Sequence, residues 1–111
     1  MEAAVRVVAL APGELLEAGF FARLNGSALA HDPVIYVVYN DGFANGVPLP
    51  LAFANPCLVD VAPAFRLRGA RVTGEAALAA AVARAREVCA AGHGPFWIEA
   101  LACTPAEGVG R

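Results

Sequence analysis

The chain contains 111 residues with a formal net charge of −2; 59% of them are hydrophobic and 16% are charged. A chain of this length forms one domain, and its net charge does not indicate a nucleic-acid surface or a polybasic membrane patch. No apolar stretch reaches the roughly 18 residues of a membrane span, and the sequence after Met1 lacks the pattern of a signal peptide. We therefore expect a cytoplasmic protein. Because average soluble chains carry about 25% charged residues, we also expect a partner to cover part of the surface.

The first forty residues predict a strand, a helix and a second strand. Residues 5–11 are apolar except for Arg6, include three β-branched valines and are stopped by Pro12-Gly13, which indicates a strand. A helix is expected from Glu14 to about residues 25–31, and residues 33–39 form an almost continuous apolar run of the kind found in buried parallel strands. Asn40-Asp41-Gly42 then forms a turn. The apolar face of the helix is expected to contain Leu15, Leu16, Phe20, Leu24 and Ala28.

The second half of the chain predicts a loop followed by three short elements and one long helix. Residues 43–56, rich in glycine, proline and asparagine, are expected to form a long loop, and such loops are often functional. A short helix over 58–67, interrupted by Pro63, precedes a strand at 70–73. Residues 75–91 are the clearest helix, with Leu78, Val82, Ala85 and Cys89 on one face and Gly92 as the stop. Residues 95–101 complete the core as a last strand.

Alternating strands and helices predict an α/β fold with three layers, α/β/α, around a parallel sheet of about four strands. We expect residues 1–103 to form this domain and residues 104–111 to form a flexible tail. In parallel sheets, ligands bind outside the carboxyl ends of the strands. These ends are expected at residues 12–13, 40–43, 73–74 and 102–104, which makes them the candidate site.

The sequence then resembles a known family over nearly its whole length. Ala11-Pro12-Gly13 falls where the alpha subunits of thiamine-diphosphate-dependent 2-oxo acid dehydrogenases carry Gly-Asp-Gly, and "PVIYVVYNDGFA" is similar to the family's "PVIFVCENNGYA". "GHGPFWIEAL" resembles the family's "GxGPxLIEAL", and "RVTG" resembles "VRVDG". The order and spacing of these segments carry the resemblance. It implies a domain that resembles the thiamine-diphosphate-binding domain of pyruvate and branched-chain dehydrogenases.

The resemblance also implies the residues that would hold the cofactor. In the family, the aspartate of Gly-Asp-Gly and the second asparagine bind a Mg²⁺ that holds the diphosphate. Here Pro12 occupies the aspartate position, Asp41 occupies the second asparagine position, and the backbone carbonyl of Phe43 is the remaining ligand. The implied cofactor-binding residues are Gly13, Asn40, Asp41 and Phe43, of which Asp41 and Phe43 would bind the metal. Because proline offers no side-chain oxygen, the binding of thiamine diphosphate and Mg²⁺ is in doubt.

The candidate site residues also have structural interpretations. Asn-Asp-Gly is a good turn sequence, Gly13 suits a tight turn as well as it suits a phosphate contact, and the three cysteines are expected to be buried thiols. Cys103 is the only candidate for a nucleophile. His31 and His93 are far apart in sequence, and neither is expected to be a general base. Apolar residues in the loop suggest contact with a partner: Phe43, Leu49, Leu51 and Phe53.

Three functions remain open at this point. The first is a degenerate alpha-type domain that is non-catalytic or depends on a partner, since the resemblance covers only about a third of a usual alpha subunit. The partner would be a beta-type dehydrogenase subunit or a chain that supplies the missing alpha-subunit regions, within an oligomer. The second is an active component that decarboxylates a 2-oxo acid and transfers the acyl group. The third is a gene remnant, against which the intact strand and helix patterns argue.

Overall fold

The computed structural model describes residues 4–105 and contains one central sheet. Its four strands are all parallel, in the order β1, β2, β6, β5. In chain order, the strands are β1 (Arg6–Leu10), β2 (Val34–Asn40), β3 (Phe43–Ala44), β4 (Val47–Pro48), β5 (Arg68–Thr73) and β6 (Phe96–Leu101). The helices are α1 (Phe20–Leu29), α2 (Leu49–Ala52), α3 (Val61–Ala64) and α4 (Glu75–Ala90), with 3₁₀ turns at Pro12–Leu16 and Leu58–Asp60.

Two apolar clusters, one on each face of the sheet, account for the three layers. On one face, Leu24 of α1 and Ala62 of α3 belong to the cluster that contains Val38 and Trp97. On the other face, α4 packs Leu78, Ala85 and Cys89 against β2 and β6. Helices cover both faces of the central strands. Residues 34–38 and 96–100 are therefore almost all apolar, as expected for strands that are buried on both sides. The prediction of an α/β/α domain with four parallel strands is confirmed.

The first predicted helix is divided in two. Residues Pro12–Leu16 form a 3₁₀ turn, and Gly19, with φ +83°, separates this turn from α1. A left-handed residue ends one helical segment and redirects the chain, and glycine adopts this conformation without steric cost. The division changes the expected face: Leu15, Phe20 and Leu24 are buried, whereas the side chain of Leu16 is 50% exposed. The prediction that Leu16 lies on the buried face is therefore wrong.

The predicted loop over 43–56 contains a small hairpin. Strands β3 and β4 pair in antiparallel fashion across Asn45-Gly46, whose φ values are +52° and +80°. Two positive φ values define a type I′ turn, for which Asn-Gly is a preferred sequence. Leu49, which begins α2, is only 4% exposed and belongs to the core, so the prediction that it faces a partner is wrong. Phe43 and Leu51 remain exposed on this segment.

The remaining elements agree closely with their predicted bounds. Helix α4 ends at Ala90, one residue before the expected end, and strand β5 begins two residues earlier than expected, at Arg68. The short helix over 58–67 is a 3₁₀ turn followed by one turn of α-helix. Residues 106–111 of the predicted tail lie outside the described residues. At its start, the backbone N–H of Thr104 donates a hydrogen bond to Glu75 at 2.6 Å.

Candidate functional site

All four parallel strands end at one edge of the sheet, which we call the carboxyl edge. The register places Asn40 of β2 beside Leu101 of β6, and Leu101 beside Thr73 of β5. The chain after β1 and the turn after β2 lie at this edge, so the predicted site residues Gly13, Asn40, Asp41 and Phe43 are all there. His31 and His93 precede β2 and β6 and therefore lie at the opposite, amino edge.

The turn after β2 is held by two consecutive side-chain hydrogen bonds. The backbone N–H of Gly42 donates to Oδ1 of Asn40 at 2.8 Å, and that of Phe43 donates to Oδ1 of Asp41 at 3.1 Å. Gly42 adopts φ +90°, and its carbonyl accepts a hydrogen bond from Leu49. Asparagine and aspartate side chains commonly stabilise turns in this way. The turn interpretation of Asn-Asp-Gly is therefore confirmed, and a ligand role for Asp41 stays a prediction.

A buried carboxylate that the sequence interpretation missed organises this edge. Glu99 of β6 is fully buried and binds three groups from three other segments. Its Oε2 accepts a hydrogen bond from Nδ2 of Asn40 at 2.7 Å, and its Oε1 accepts one from the backbone N–H of Val59 at 2.8 Å. Nε of Arg71 lies 3.4 Å from Oε1. These contacts provide the partners that a buried charge requires.

Glu99 could have been singled out from the sequence, because it is the only acid in the apolar strand Phe96–Leu101. A charged residue in a strand that is covered on both faces needs a specific partner. Its partners are 28 to 59 residues away along the chain, and no local pattern identifies them. Asn40, by contrast, is predicted as a site residue and is fixed at both ends of its amide, by Glu99 and by Gly42.

The hairpin covers the end of β1. Pro12 and Gly13 are both buried, and a Cβ atom added to Gly13 would collide with the side-chain amide of Asn45, in the hairpin turn. The glycine is therefore required by the close approach of Asn45. Its backbone lies beneath the hairpin, at the position where the sequence suggested a phosphate contact.

Cys103 follows β6 in an environment that disfavours its ionised form. Burial raises the pKa of the Cys103 thiol, the nearby Glu75 carboxylate raises it further, and a hydrogen bond with the backbone of Gly74 opposes these effects. Burial also raises the pKa of Tyr39, with smaller contributions from Glu75 and Cys103. A reactive cysteine needs an electropositive environment that lowers its pKa. The environment of Cys103 has the opposite effect and does not support a nucleophilic role.

The oxygen set that the resemblance implies for Mg²⁺ at the carboxyl edge is one side-chain ligand short. Magnesium prefers six oxygen ligands in octahedral geometry. Of the implied ligands, Asp41 offers a carboxylate and Phe43 a backbone carbonyl, whereas Pro12 has no side-chain oxygen. Within residues 4–105, no group of three or more histidine, cysteine or acidic side chains is arranged to hold a metal.

No helix of the same described region is long and apolar enough to cross a membrane.

The family model and two relatives with known names point to the same family. The model of the dehydrogenase E1 component family matches residues 11–103. Subunit alpha 2 of mitochondrial 2-oxoisovalerate dehydrogenase from Arabidopsis thaliana is 36% identical over 91 residues, which cover 80% of this chain and 19% of that protein. Subunit alpha 1 from the same organism is 32% identical over 100 residues, which cover 88% of this chain and 21% of that subunit.

A third Arabidopsis thaliana relative carries the name of a 2-dehydropantoate 2-reductase and is 32% identical over 100 residues, 88% of this chain and 27% of that protein. Its name indicates a different reaction, but the family match and both alpha subunits agree with each other and with the resemblance. This chain spans between 19% and 27% of the length of these relatives. The chain therefore belongs to the dehydrogenase E1 component family and corresponds to a short segment of a 2-oxo acid dehydrogenase alpha subunit.

Proposed function

We propose that this domain is a degenerate form of the thiamine-diphosphate domain of an alpha subunit, non-catalytic or dependent on a partner chain for any activity. The observation that carries the proposal is the oxygen set at the carboxyl edge. Pro12 is fully buried and has no side-chain oxygen at the place where the family resemblance expects an aspartate. Asp41 and the carbonyl of Phe43 would be the only protein ligands from the implied set. Two such ligands leave most of the octahedral positions of Mg²⁺ to other molecules.

The hairpin supports the same proposal. A diphosphate near the end of β1 would need the backbone around Gly13 to be open, as at helix N-termini that bind phosphate. Here the Asn45 amide lies where even a Cβ atom on Gly13 would not fit. Binding of the cofactor would therefore require the hairpin to move away from this turn.

The exposed apolar side chains support a partner. Phe43, Val47 and Leu51 are exposed by 49%, 41% and 79%, and all three lie on the hairpin and α2, next to the carboxyl edge. We call these three residues the hairpin surface. Neighbouring apolar side chains of this kind commonly mark contact with another protein. A beta-type dehydrogenase subunit, or a chain supplying other alpha-subunit regions, would cover this surface in an oligomer.

An active component of a 2-oxo acid dehydrogenase is the alternative function, and one observation favours it. Asn40 and Asp41 end β2 in a well-defined turn, and Glu99 fixes the amide of Asn40. The two bonds to Gly42 and Phe43 are explained by the turn itself. The bond between Asn40 and the buried Glu99 is not required by the turn, and it would be useful in a site that still binds a ligand. In this alternative, Asp41 and Phe43 would hold Mg²⁺, and thiamine diphosphate would supply the decarboxylation chemistry.

Calorimetric titration of thiamine diphosphate with Mg²⁺ separates the two functions. The natural chain is expected to give no binding signal. Pro12→Asp is measured beside it, with Pro12→Ala as the control for loss of the ring. Because position 12 is fully buried, the aspartate variant is expected to be destabilised without metal, so its folding is checked by circular dichroism.

The three outcomes have different consequences. Micromolar, Mg²⁺-dependent binding by the natural chain would contradict the non-catalytic proposal and make Asp41 the next residue to replace. Binding by Pro12→Asp alone would identify position 12 as the cause of the loss. If neither chain binds while both are folded, other elements of the site are missing, and the titration is repeated with a co-expressed beta-type chain.

A further inference from the structure

We infer that a groove at the amino edge of the sheet binds a small organic phosphate. The groove has a volume of about 540 Å³ and is formed by three segments that precede strands: the end of α1, the chain between α3 and β5, and the chain between α4 and β6. Four basic side chains line it, His31, Arg66, Arg68 and His93. No carboxylate is among its lining residues in the part of the chain that the structure describes.

The four basic residues come together although the chain as a whole carries a net charge of −2. The chain contains eight arginines and two histidines, so this groove collects two of the arginines and both histidines. Arginine is well suited to phosphate because its planar guanidinium donates paired hydrogen bonds to two oxygens. The nearest acidic residue in sequence is Asp32, next to His31, and it does not line the groove.

Helix dipoles account for only part of this basic cluster. His31 and His93 follow the carboxyl ends of α1 and α4, where positive charge is favourable. Arg68 lies at the start of β5, and Arg66 follows α3, a helix of only four residues with a small dipole. Arg68 also donates a hydrogen bond from Nη1 to the backbone carbonyl of His93 at 3.4 Å, which accounts for part of its position. The guanidinium of Arg66 and the remaining N–H groups of Arg68 can bind an anion in the groove.

The backbone at two of these residues is strained. His31 and Arg66 have φ values of +52° and +57°, in the left-handed region that glycine or asparagine normally occupies after a helix. Their segments are nonetheless well fixed, because the backbone N–H groups of His31 and Arg66 donate to Ala28 and Pro63 at 3.2 and 3.1 Å. Residues held in strained conformations cluster at binding sites. A histidine and an arginine at positions that favour glycine suggest that their side chains serve a purpose other than stability.

The groove also predicts the kind of molecule that carries the phosphate. Leu29 and Phe65 line it beside the basic residues, and Leu29 is 75% exposed. A ligand that places a phosphate against the guanidinium groups can therefore cover these apolar side chains with an organic part. This geometry favours a small phosphate ester over inorganic phosphate.

The test uses phenyl phosphate and inorganic phosphate as probes and follows backbone amide shifts of the whole chain by NMR. Phenyl phosphate is expected to bind with a dissociation constant below about 1 mM, more tightly than inorganic phosphate. The shifts should be largest at residues 31, 66–68 and 93. An absence of saturable shifts, or shifts centred on Gly13 and residues 40–42 at the carboxyl edge, would overturn the inference.

Variants at position 66 separate binding from folding. Arg66→Gly removes the guanidinium and relieves the left-handed backbone, so we expect an equal or higher Tm together with affinity reduced about tenfold. Arg66→Lys keeps the charge but not the paired hydrogen bonds, so we expect an affinity between those of the natural chain and Arg66→Gly. Arg84→Ala, which removes an exposed arginine of α4 outside the groove, should change nothing. Equal weakening by Arg84→Ala, or unchanged affinity in Arg66→Gly, would refute the site. The outcome is independent of cofactor binding, which concerns the opposite edge.

Discussion

The buried carboxylate of Glu99 connects three segments at the carboxyl edge. Replacing Glu99 tests how much these contacts contribute to the stability of the domain. Glu99→Ala leaves the amide of Asn40 and the N–H of Val59 without their partner. Leaving a buried hydrogen-bonding group without its partner typically costs about 1–3 kcal/mol, whereas the ion pair with Arg71 adds little because that side chain is 53% exposed. We expect a loss of this size in the free energy of unfolding, measured by urea denaturation.

Glu99→Gln and Glu87→Gln provide the comparison. Glutamine keeps an acceptor oxygen for Val59 but loses the charge that attracts Arg71, so we expect a loss smaller than that of alanine. Glu87, an exposed glutamate of α4, should tolerate the same change with little effect. A Glu99→Ala variant as stable as the Glu87 control would show that the buried carboxylate contributes no net stability.

Three buried or partly buried groups predict how stability depends on pH. Burial raises the pKa values of Tyr39, Cys89 and Cys103, and Glu75 raises those of Tyr39 and Cys103 further. Each group therefore holds its proton more tightly in the folded chain than in the unfolded chain. Their contribution is fully present below the unfolded pKa values and is lost as pH rises through the folded ones.

We therefore expect the free energy of unfolding to fall above about pH 9, where unfolded cysteine and tyrosine begin to ionise. Urea denaturation between pH 7 and pH 11 measures the effect. A Tyr39→Phe, Cys103→Ser double variant removes two of the three groups and should show a shallower fall. An identical pH profile for both chains would contradict this origin.

At the scale of elements, the contact between the hairpin and the turn after β1 is the clearest case for a double-mutant cycle. Gly13→Ala introduces a Cβ atom that collides with the Asn45 amide, and overpacking of this kind typically costs about 1–3 kcal/mol. Asn45→Gly removes the obstructing side chain at a position whose φ of +52° suits glycine. We expect the second change to restore most of the stability lost in the first.

Thermal unfolding of the natural chain, the two single variants and the double variant completes the cycle. A coupling energy near zero would mean that the hairpin does not rest on this turn in solution. The same variants bear on the proposed function, because Asn45→Gly uncovers Gly13. If the hairpin alone blocks the cofactor, thiamine diphosphate should bind to Asn45→Gly in the titration described above.

At the scale of the whole molecule, the sequence predicts the elements better than their contacts. Residues 75–91 repeat with the helical period and residues 33–39 form an almost continuous apolar run, and both elements are found within one residue of their predicted bounds. The carboxyl-edge rule also places Gly13 and Asp41 at one edge correctly. The bonds of Glu99 and the cover over Gly13 were not predictable, because they join segments that are far apart along the chain. The Asn45-Gly46 signal for a hairpin was present in the sequence but lay within a segment rich in loop residues.

The hairpin surface gives the last prediction, which concerns association. Phe21, another exposed aromatic residue, stacks on Phe65 with ring centroids 5.8 Å apart and so has a role within the domain. In residues 4–105, no comparable ring contact is found for Phe43, and Leu51 is the most exposed large apolar side chain. Removing both side chains should therefore lower association without weakening the core.

Sedimentation of the purified chain at increasing concentration measures this effect. We expect the natural chain to self-associate when no partner is present, because its hairpin surface is apolar, and we expect Phe43→Ser with Leu51→Ser to remain monomeric. Leu29→Ser, at the opposite edge and 75% exposed, is the matched control and should associate like the natural chain. If all three chains associate equally, the partner contact lies elsewhere on the domain. A natural chain that stays monomeric at every concentration would show instead that the hairpin surface does not need a protein to cover it.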